Sequence, residues 1–184
     1  MILSTLSNNS AIPTDDGGCN HLLNAKIPVL SLPNQDGNLL NLNRSDTFHL
    51  VIYFFPMTGH PNKPLPDNWN EIPGARGCTI QTCSFRDNYY KFTALNAIPI
   101  GISTQTVDEI KEMTIRLKVP YDILSDEKLE LTNEINLPKF KIGTKYYIKR
   151  LTLIVKESVI KHVFYPIFPP DLHFKEVIKW LEEN

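Results

Sequence analysis

The chain has 184 residues, a formal net charge of −1, and 42% hydrophobic and 10% aromatic side chains. That length suits one domain and that composition builds a core, which excludes a disordered chain; the near-neutral charge leaves no electrostatic footprint for nucleic acid or an anionic membrane. No apolar run approaches the roughly 18 residues of a membrane span, the N-terminus lacks the basic and apolar regions of a signal peptide, and three cysteines are too few for a disulfide scaffold, so the expected setting is the reducing cytoplasm.

Residues 1–24 are polar and rich in Ser, Asn, Asp and Gly, and read as a flexible lead-in to a domain over 25–184, with the core starting at Ile27. Asp36-Gly37 between two short apolar runs predicts a hairpin. His49–Phe55 is a continuous apolar run, as for a strand covered on both faces, and Pro56 ends it. Residues 57–77 carry Pro61, Pro64, Pro66 and Pro73, which forbid regular helix, and a loop this long in a compact domain is usually functional or flexible. Thr79–Asn96 then reads as one helix, because Phe85, Tyr89, Phe92 and Leu95 form an apolar stripe. Ala97–Ser103 is a second buried strand. Thr106–Val119 is a helix with Val107, Ile110, Met113 and Leu117 on one side. Tyr121–Leu124 is a short strand and Leu129–Asn136 a short helix. Lys145–Val155 and Ser158–Tyr165 are two strands turning near Glu157-Ser158, and Asp171 is placed to cap a last helix with a stripe of Phe174, Val177, Ile178 and Leu181. Strands and helices in this order predict an α/β fold with one central mixed sheet flanked by helices on both faces.

Chemistry concentrates in GCTIQTCSFRD, which holds Cys78 and Cys83. An ordinary thiol has a pKa of about 8.5 and is only roughly 3% thiolate at pH 7. A helix N-terminus with cations nearby can lower that pKa, and Cys78, directly after Gly77, stands at such a position. On an intact helix, residues five apart lie about 140° apart around the axis and rise about 7.5 Å. A disulfide needs Cα atoms within about 7 Å and facing side chains, so a Cys78–Cys83 bond requires the first turns of the helix to unwind. The spacing alone admits a redox pair with a sulfenic acid on Cys78, a metal site with His60 for which no fourth ligand is evident, or two inert thiols. Cys19 reads as a small hydrophobe or an inert surface thiol.

The same segment resembles the GCT-x-[EQ]-x-C-x-FRD run of peroxiredoxins in the AhpC/TSA superfamily, in particular the bacterioferritin comigratory protein or peroxiredoxin Q group. IPVLSLPNQDGNLLNL, HLVIYFFP, IGISTQ, YDILSDEKLELTNEI and KRLTLIVKESVIKHVFY follow in that family's order, from about Lys26 to the C-terminus. The resemblance implies a thioredoxin-like fold with an N-terminal β-hairpin. It also implies reduction of hydrogen peroxide or organic hydroperoxides by a peroxidatic Cys78, a resolving Cys83 and an intramolecular disulfide re-reduced by thioredoxin or a similar dithiol protein. No metal, haem or flavin is implied, a monomer or weak dimer is expected, and Arg150 matches the family's arginine beside the peroxidatic thiol. Strand alternation puts Arg150, Thr152 and Ile154 on one face and Leu151, Leu153 and Val155 on the other. A guanidinium there would stabilise the thiolate and polarise the peroxide bond.

Two departures stand out. Where the family usually carries Pro seven residues before the peroxidatic cysteine and Thr or Ser three before it, this chain has Glu71 and Ala75. Either Pro56 and Thr58 reach the site across an inserted loop, or Arg76, backbone N–H groups and the Thr79 hydroxyl substitute. Gln81 stands where many relatives have Glu. Arg86 and Asp87 read as a local ion pair, and His60 and Trp69 as packing or surface residues that could shape a peroxide entrance. The competing functions are a thiol–disulfide oxidoreductase, whose usual CxxC is missing, and a non-enzymatic redox-sensing module.

Overall fold

A computed structural model describes residues 12–44 and 47–184. Its centre is a five-stranded sheet in the order β5-β4-β3-β8-β9. The strands β3 (His49–Phe54), β4 (Ala97–Ser103) and β5 (Ile123–Ser125) run parallel, and β8 (Leu151–Lys156) and β9 (Val159–Phe164) are added antiparallel on the β3 side. This is the expected mixed sheet. Both faces of β3 are apolar because both are covered, and its side chains divide by parity. Leu50, Ile52 and Phe54 join Ile100, Ile102, Leu151, Leu153 and Val155 in one core. Val51, Tyr53 and Phe55 join Ile154 in the other.

The second core is roofed by α1 (Cys78–Asp87), α2 (Tyr89–Ala94), α3 (Val107–Leu117) and α5 (His173–Glu183), which contribute Phe85, Phe92, Ile110, Met113, Val177 and Leu181. The first is covered by Leu131 of α4 (Glu130–Glu134), by the N-terminal hairpin of β1 (Ser31–Pro33) and β2 (Leu39–Asn41), and by the segment before it. The start of α3 carries a reciprocal cap. The Glu109 N–H donates to the Thr106 hydroxyl, and the Thr106 N–H donates to the Glu109 carboxylate. Among the described residues, no helix is long and apolar enough to cross a membrane.

Four expectations are corrected. Residues 1–11 lie outside the described residues, but the rest of the expected flexible lead-in packs against the body, and Cys19 and Leu22 belong to the core ahead of Ile27. Its polar residues tie turns: Asp15 and Asp16 accept from the backbone N–H groups of Gly17 and Gly18, and Asn24 N–H donates to the Ile160 carbonyl. The helix expected over Thr79–Asn96 is two helices. Asn88 breaks it at φ −111°, ψ 15°, with its side-chain amide donating to the Ser84 carbonyl in competition with the helical ladder. The strand expected over Lys145–Val155 is also two. Residues Lys145–Ile148 (β7) leave the main sheet to pair with β6 (Lys139–Ile142), which sequence reading missed, and the chain bends at Lys149, whose N–H donates to the Pro138 carbonyl. Finally, α5 starts at His173 with Leu172 at its cap, because the turn closed by the Leu172 N–H on the Pro169 carbonyl carries the chain past Asp171.

Candidate active site

Cys78 is the first residue of α1, and α1 begins where the long loop from the C-terminal end of β3 returns to the sheet. Gly77 makes the entry possible. Its φ of +96° is left-handed, and a Cβ there would lie 2.4 Å from Cγ of the buried Pro170. The loop holds one short 3-10 turn, Trp69–Glu71, whose Trp69 packs with Tyr147 and Ala75 in a small cluster of its own. Ring centroids of Trp69 and Tyr147 are 5.1 Å apart, edge to face. This cluster fixes the loop just before the cysteine.

The bend at Lys149–Arg150 aims Arg150 across the end of β3, where Leu151 pairs with Phe54. Arg150 Nη2 donates to Cys78 Sγ at 3.1 Å and to the carbonyls of Arg76 at 3.0 Å and Gly74 at 3.3 Å. Its Nη1 donates to Gln81 Oε1. Only 4% of Arg150 and 3% of Cys78 are exposed, so the guanidinium acts on the sulfur with little screening. The positive end of the α1 dipole meets the same sulfur. Cys78 Sγ, as a thiol, donates to the Ala75 carbonyl at 3.5 Å. The expected proximity of Arg150 to Cys78 is therefore found in the geometry, with Gln81 as the orienting partner one helical turn on.

Neither candidate hydroxyl, that of Thr58 or that of Thr79, is hydrogen-bonded to the Cys78 sulfur among the described residues. The Thr58 hydroxyl and N–H both donate to Gln105 Oε1, at 3.1 and 2.9 Å. The hydroxyl of Thr79 makes no hydrogen bond to Cys78 or Arg150 among the described residues, since consecutive helical side chains diverge by about 100°. The sulfur's hydrogen-bond partners are Arg150 Nη2 and the Ala75 carbonyl. Two buried donors here have no partner among the described residues, Gln81 Nε2 and Arg150 Nε. His60 accepts from the Asn62 N–H in the loop. Arg86 and Asp87 form the expected local ion pair at 2.8 Å, and Arg86 also donates to the Leu117 carbonyl at the end of α3.

Cys83 lies on the same intact helix, half-buried against the second core. Burial pushes its thiol pKa up, opposed in part by the Arg86 charge. Tyr121 OH donates to the Thr82 carbonyl at 3.2 Å and so pins the helix next to it. Cys19 is buried on the opposite side of the sheet, and desolvation and the charges of Asp16 and Asp15 push it up to about 12, which suits the inert reading.

Sequence reading missed His173. It is buried at the start of α5, on the face of β8 that carries Arg150, with Nε2 2.9 Å from Thr152 Oγ1 and Nδ1 3.1 Å from the Glu176 carboxylate. Burial lowers its pKa, and the nearby Arg150 charge adds to this against the pull of Glu176. A carboxylate only accepts, so the neutral ring carries its proton on Nδ1 and the Thr152 hydroxyl donates to Nε2. No sequence signal marked this residue, because its partners are Thr152, 21 residues earlier, and Glu176, one helical turn on.

A cleft of about 290 Å³ opens on the far side of Arg150, between the N-terminal segment, the loop at 72–74 and the turn after β9. That is near the lower end of volumes that hold small organic ligands.

The AhpC/TSA family model matches residues 71–163. The chain is 31% identical over 180 residues to a protein named peroxiredoxin Q, chloroplastic, from Oryza sativa subsp. japonica, covering 94% of this chain and 75% of that one. It is 30% identical over 187 residues to the protein of the same name from Arabidopsis thaliana, covering 97% and 79%. Among solved structures it is similar to peroxidoxin BcpB of Mycobacterium tuberculosis, with a TM-score of 0.72 at 22% identity over 88% of this chain and 96% of that one. It is also similar to peroxiredoxin Q of Xanthomonas campestris, with a TM-score of 0.68 at 17% identity over 96% and 98%. At those identities the structures speak for the fold alone, which is thioredoxin-like.

Proposed function

This chain belongs to the AhpC/TSA family, in its peroxiredoxin Q group, and we propose that it is a thiol peroxidase with Cys78 as the peroxidatic and Cys83 as the resolving cysteine. The observation that carries this reading is the 3.1 Å contact between the Arg150 guanidinium and Cys78 Sγ at the start of α1. The Cys78 thiolate attacks the terminal oxygen of a hydroperoxide ROOH. An S–O bond forms, the O–O bond breaks, and the leaving RO⁻ takes a proton to become an alcohol, or water when the substrate is hydrogen peroxide. Arg150 stabilises negative charge on the sulfur before attack and on the oxygens as the bond breaks. The sulfur ends as a sulfenic acid.

Resolution needs motion. Cys83 sits five residues along a folded helix, so the two sulfurs meet only when the first turns of α1 open. Opening also takes Cys83 out of the environment that holds its pKa up, and its thiolate becomes easier to form as the bond becomes reachable. Condensation releases water and leaves a Cys78–Cys83 disulfide. Thioredoxin or a similar dithiol protein then returns both thiols, oxidising its own pair. A reducing compartment such as the cytoplasm supplies that partner.

The test is steady-state peroxide consumption coupled to thioredoxin and its reductase. Cys78→Ser is expected to abolish turnover, and turnover at the wild-type rate overturns the assignment. Cys83→Ser is expected to consume about one equivalent and then stall; sustained turnover removes Cys83 from the cycle. Reduction of insulin disulfides faster than of peroxide supports the thiol–disulfide oxidoreductase instead.

A further inference from the structure

The proposed cycle requires α1 to open between Cys78 and Cys83, and the residue just before Cys83 is held to the sheet by two buried tyrosines that the chemistry does not use. Thr82 is fully buried. Its carbonyl accepts from the Tyr121 hydroxyl at 3.2 Å. With the Tyr121 proton committed there, the Tyr53 hydroxyl is the donor in the 3.1 Å contact between the two phenols, and it also reaches Thr82 Oγ1 at 3.4 Å. Three hydroxyls and one carbonyl thus close a polar network inside the second core. Burial pushes the pKa of both phenols up, so both stay protonated and able to donate wherever a thiol enzyme works.

The sheet side of this network is fixed. Tyr53 stands in β3 opposite Gly101 of β4. A Cβ on Gly101 would lie 2.8 Å from both Cζ and the hydroxyl oxygen of Tyr53, so the bare backbone there makes the room that the phenol needs. Tyr121 is held through the residues that follow it. The Asp122 carboxylate accepts from the Asn34 side-chain amide at 2.9 Å, its carbonyl accepts from the Gly101 N–H at 3.1 Å, and the Ile123 N–H donates to the Gln35 side chain at 3.0 Å. Both phenols therefore belong to the sheet and its hairpin cover, while Thr82 belongs to the segment that has to move. Unwinding α1 takes the Thr82 carbonyl away from Tyr121 and leaves a buried hydroxyl without its acceptor, a cost that falls on opening alone.

We propose that Tyr53 and Tyr121 form a clasp on Thr82 that sets the rate at which Cys83 resolves the Cys78 sulfenic acid. The proposal rests on the peroxidase reading and adds two positioning residues to it. Neither phenol is hydrogen-bonded to Cys78 Sγ among the described residues, so the first step is left alone. While the clasp is closed, the sulfenic acid stays beside Arg150, where a second hydroperoxide can reach it. The sulfur then gains one more oxygen, the O–O bond breaks and ROH leaves, giving a sulfinic acid. When the clasp opens, the Cys83 sulfur attacks the sulfenic sulfur, an S–S bond forms, the S–O bond breaks and water leaves. The clasp divides the sulfenic acid between recovery and loss.

In the experiment, the reduced full chain is mixed with hydrogen peroxide, quenched in acid at set times and weighed intact, which separates sulfenic acid, disulfide and sulfinic acid. Tyr121→Phe keeps the ring and loses the donor. Its disulfide is expected to form about fivefold faster than in the wild type, the factor for loss of one buried neutral hydrogen bond. Sulfenic acid should form within about twofold of the wild-type rate, and about fivefold more peroxide should be needed to drive half of the protein to sulfinic acid. Tyr53→Phe is expected to act in the same direction, and it decides the question if Tyr121→Phe does not fold. Tyr89→Phe is the control: its ring lies 5.6 Å from that of Tyr121, but its hydroxyl makes no hydrogen bond to Thr82 among the described residues, so it should resolve at the wild-type rate. Wild-type disulfide formation in a folded clasp variant, or equal acceleration in Tyr89→Phe, overturns the clasp and leaves the peroxidase reading standing. A wild-type chain in which peroxide yields neither sulfenic acid nor a Cys78–Cys83 disulfide overturns both.

Discussion

Replacing Gly77 with alanine tests how the site is positioned. Two costs can be read from the geometry. At φ +96° an L-residue pays about 1–2 kcal/mol for left-handed backbone. The new Cβ would also stand 2.4 Å from Pro170 Cγ and 3.4 Å from Pro170 Cβ, and Pro170 is buried and rigid. Forcing a methyl into such packing costs about 1–3 kcal/mol. The sum is about 2–5 kcal/mol, which for a chain of this size lowers Tm by roughly 4–20 °C. Gly37 supplies the control: it sits in the first hairpin turn at φ +80°, but a Cβ there meets nothing within 4 Å. Gly37→Ala carries only the backbone cost, about 1–2 kcal/mol or roughly 2–8 °C. Thermal melts followed by circular dichroism compare the two. If Gly77→Ala melts no lower than Gly37→Ala, the contact with Pro170 does not set the start of α1, and the account of how Cys78 is held is wrong.

Three further outcomes follow from the same geometry. Arg150→Met should lower kcat/KM for peroxide about 10²–10³-fold, as for loss of a preorganised charged donor, while Thr79→Val stays within about twofold; a Thr79→Val loss comparable to that of Arg150→Met would return the hydroxyl to the site. Gln81→Leu strips a buried donor of its acceptor and should cost about 1–3 kcal/mol in urea unfolding, together with activity, whereas Gln81→Glu keeps the acceptor and should retain both; equal losses in the two variants would refute the orienting role. Burial holds His173 below its ordinary pKa of about 6.5, so in acid the unfolded chain binds more protons than the folded one. Stability should be complete above about pH 6.5 and fall as pH drops below it, with His49 and His162, also lowered by burial, adding the same sign. Urea midpoints from pH 8 to 5 should show a shallower fall in His173→Gln, and an equally steep one would exclude His173 from the effect.

The parts legible in the sequence were those governed by one local rule. Continuous apolar runs marked β3 and β4, the stripe of Ile110, Met113 and Leu117 marked α3, and alternation put Arg150 on its face of the chain before the fold was known. Where a break or a contact rests on one specific hydrogen bond, the sequence was silent. The stripe through Phe85 and Phe92 is equally good across Asn88, and only a side-chain bond to the Ser84 carbonyl shows the break. The bend before Arg150 depends on a hydrogen bond to Pro138 and on a second hairpin whose strand, KFKI, is too short to show a period. The N-terminal segment looked unstructured because its few apolar residues are scattered among polar ones. Those polar residues instead fold it through turns and through Asp16.

The interruption at Asn88 bears on repeated turnover. A helix running unbroken from Cys78 to Asn96 would couple its ends, and opening the first turns would loosen Phe92 as well. With α2 separately terminated, Phe92 keeps its place in the core while α1 melts, and the stacked pair it forms with Phe85 at 5.1 Å is the seam along which the two part. Asn88 works as a firebreak. If α1 opens to bring Cys83 to Cys78, as the proposed cycle requires, Asn88 sets the ten residues of Cys78–Asp87 apart from α2.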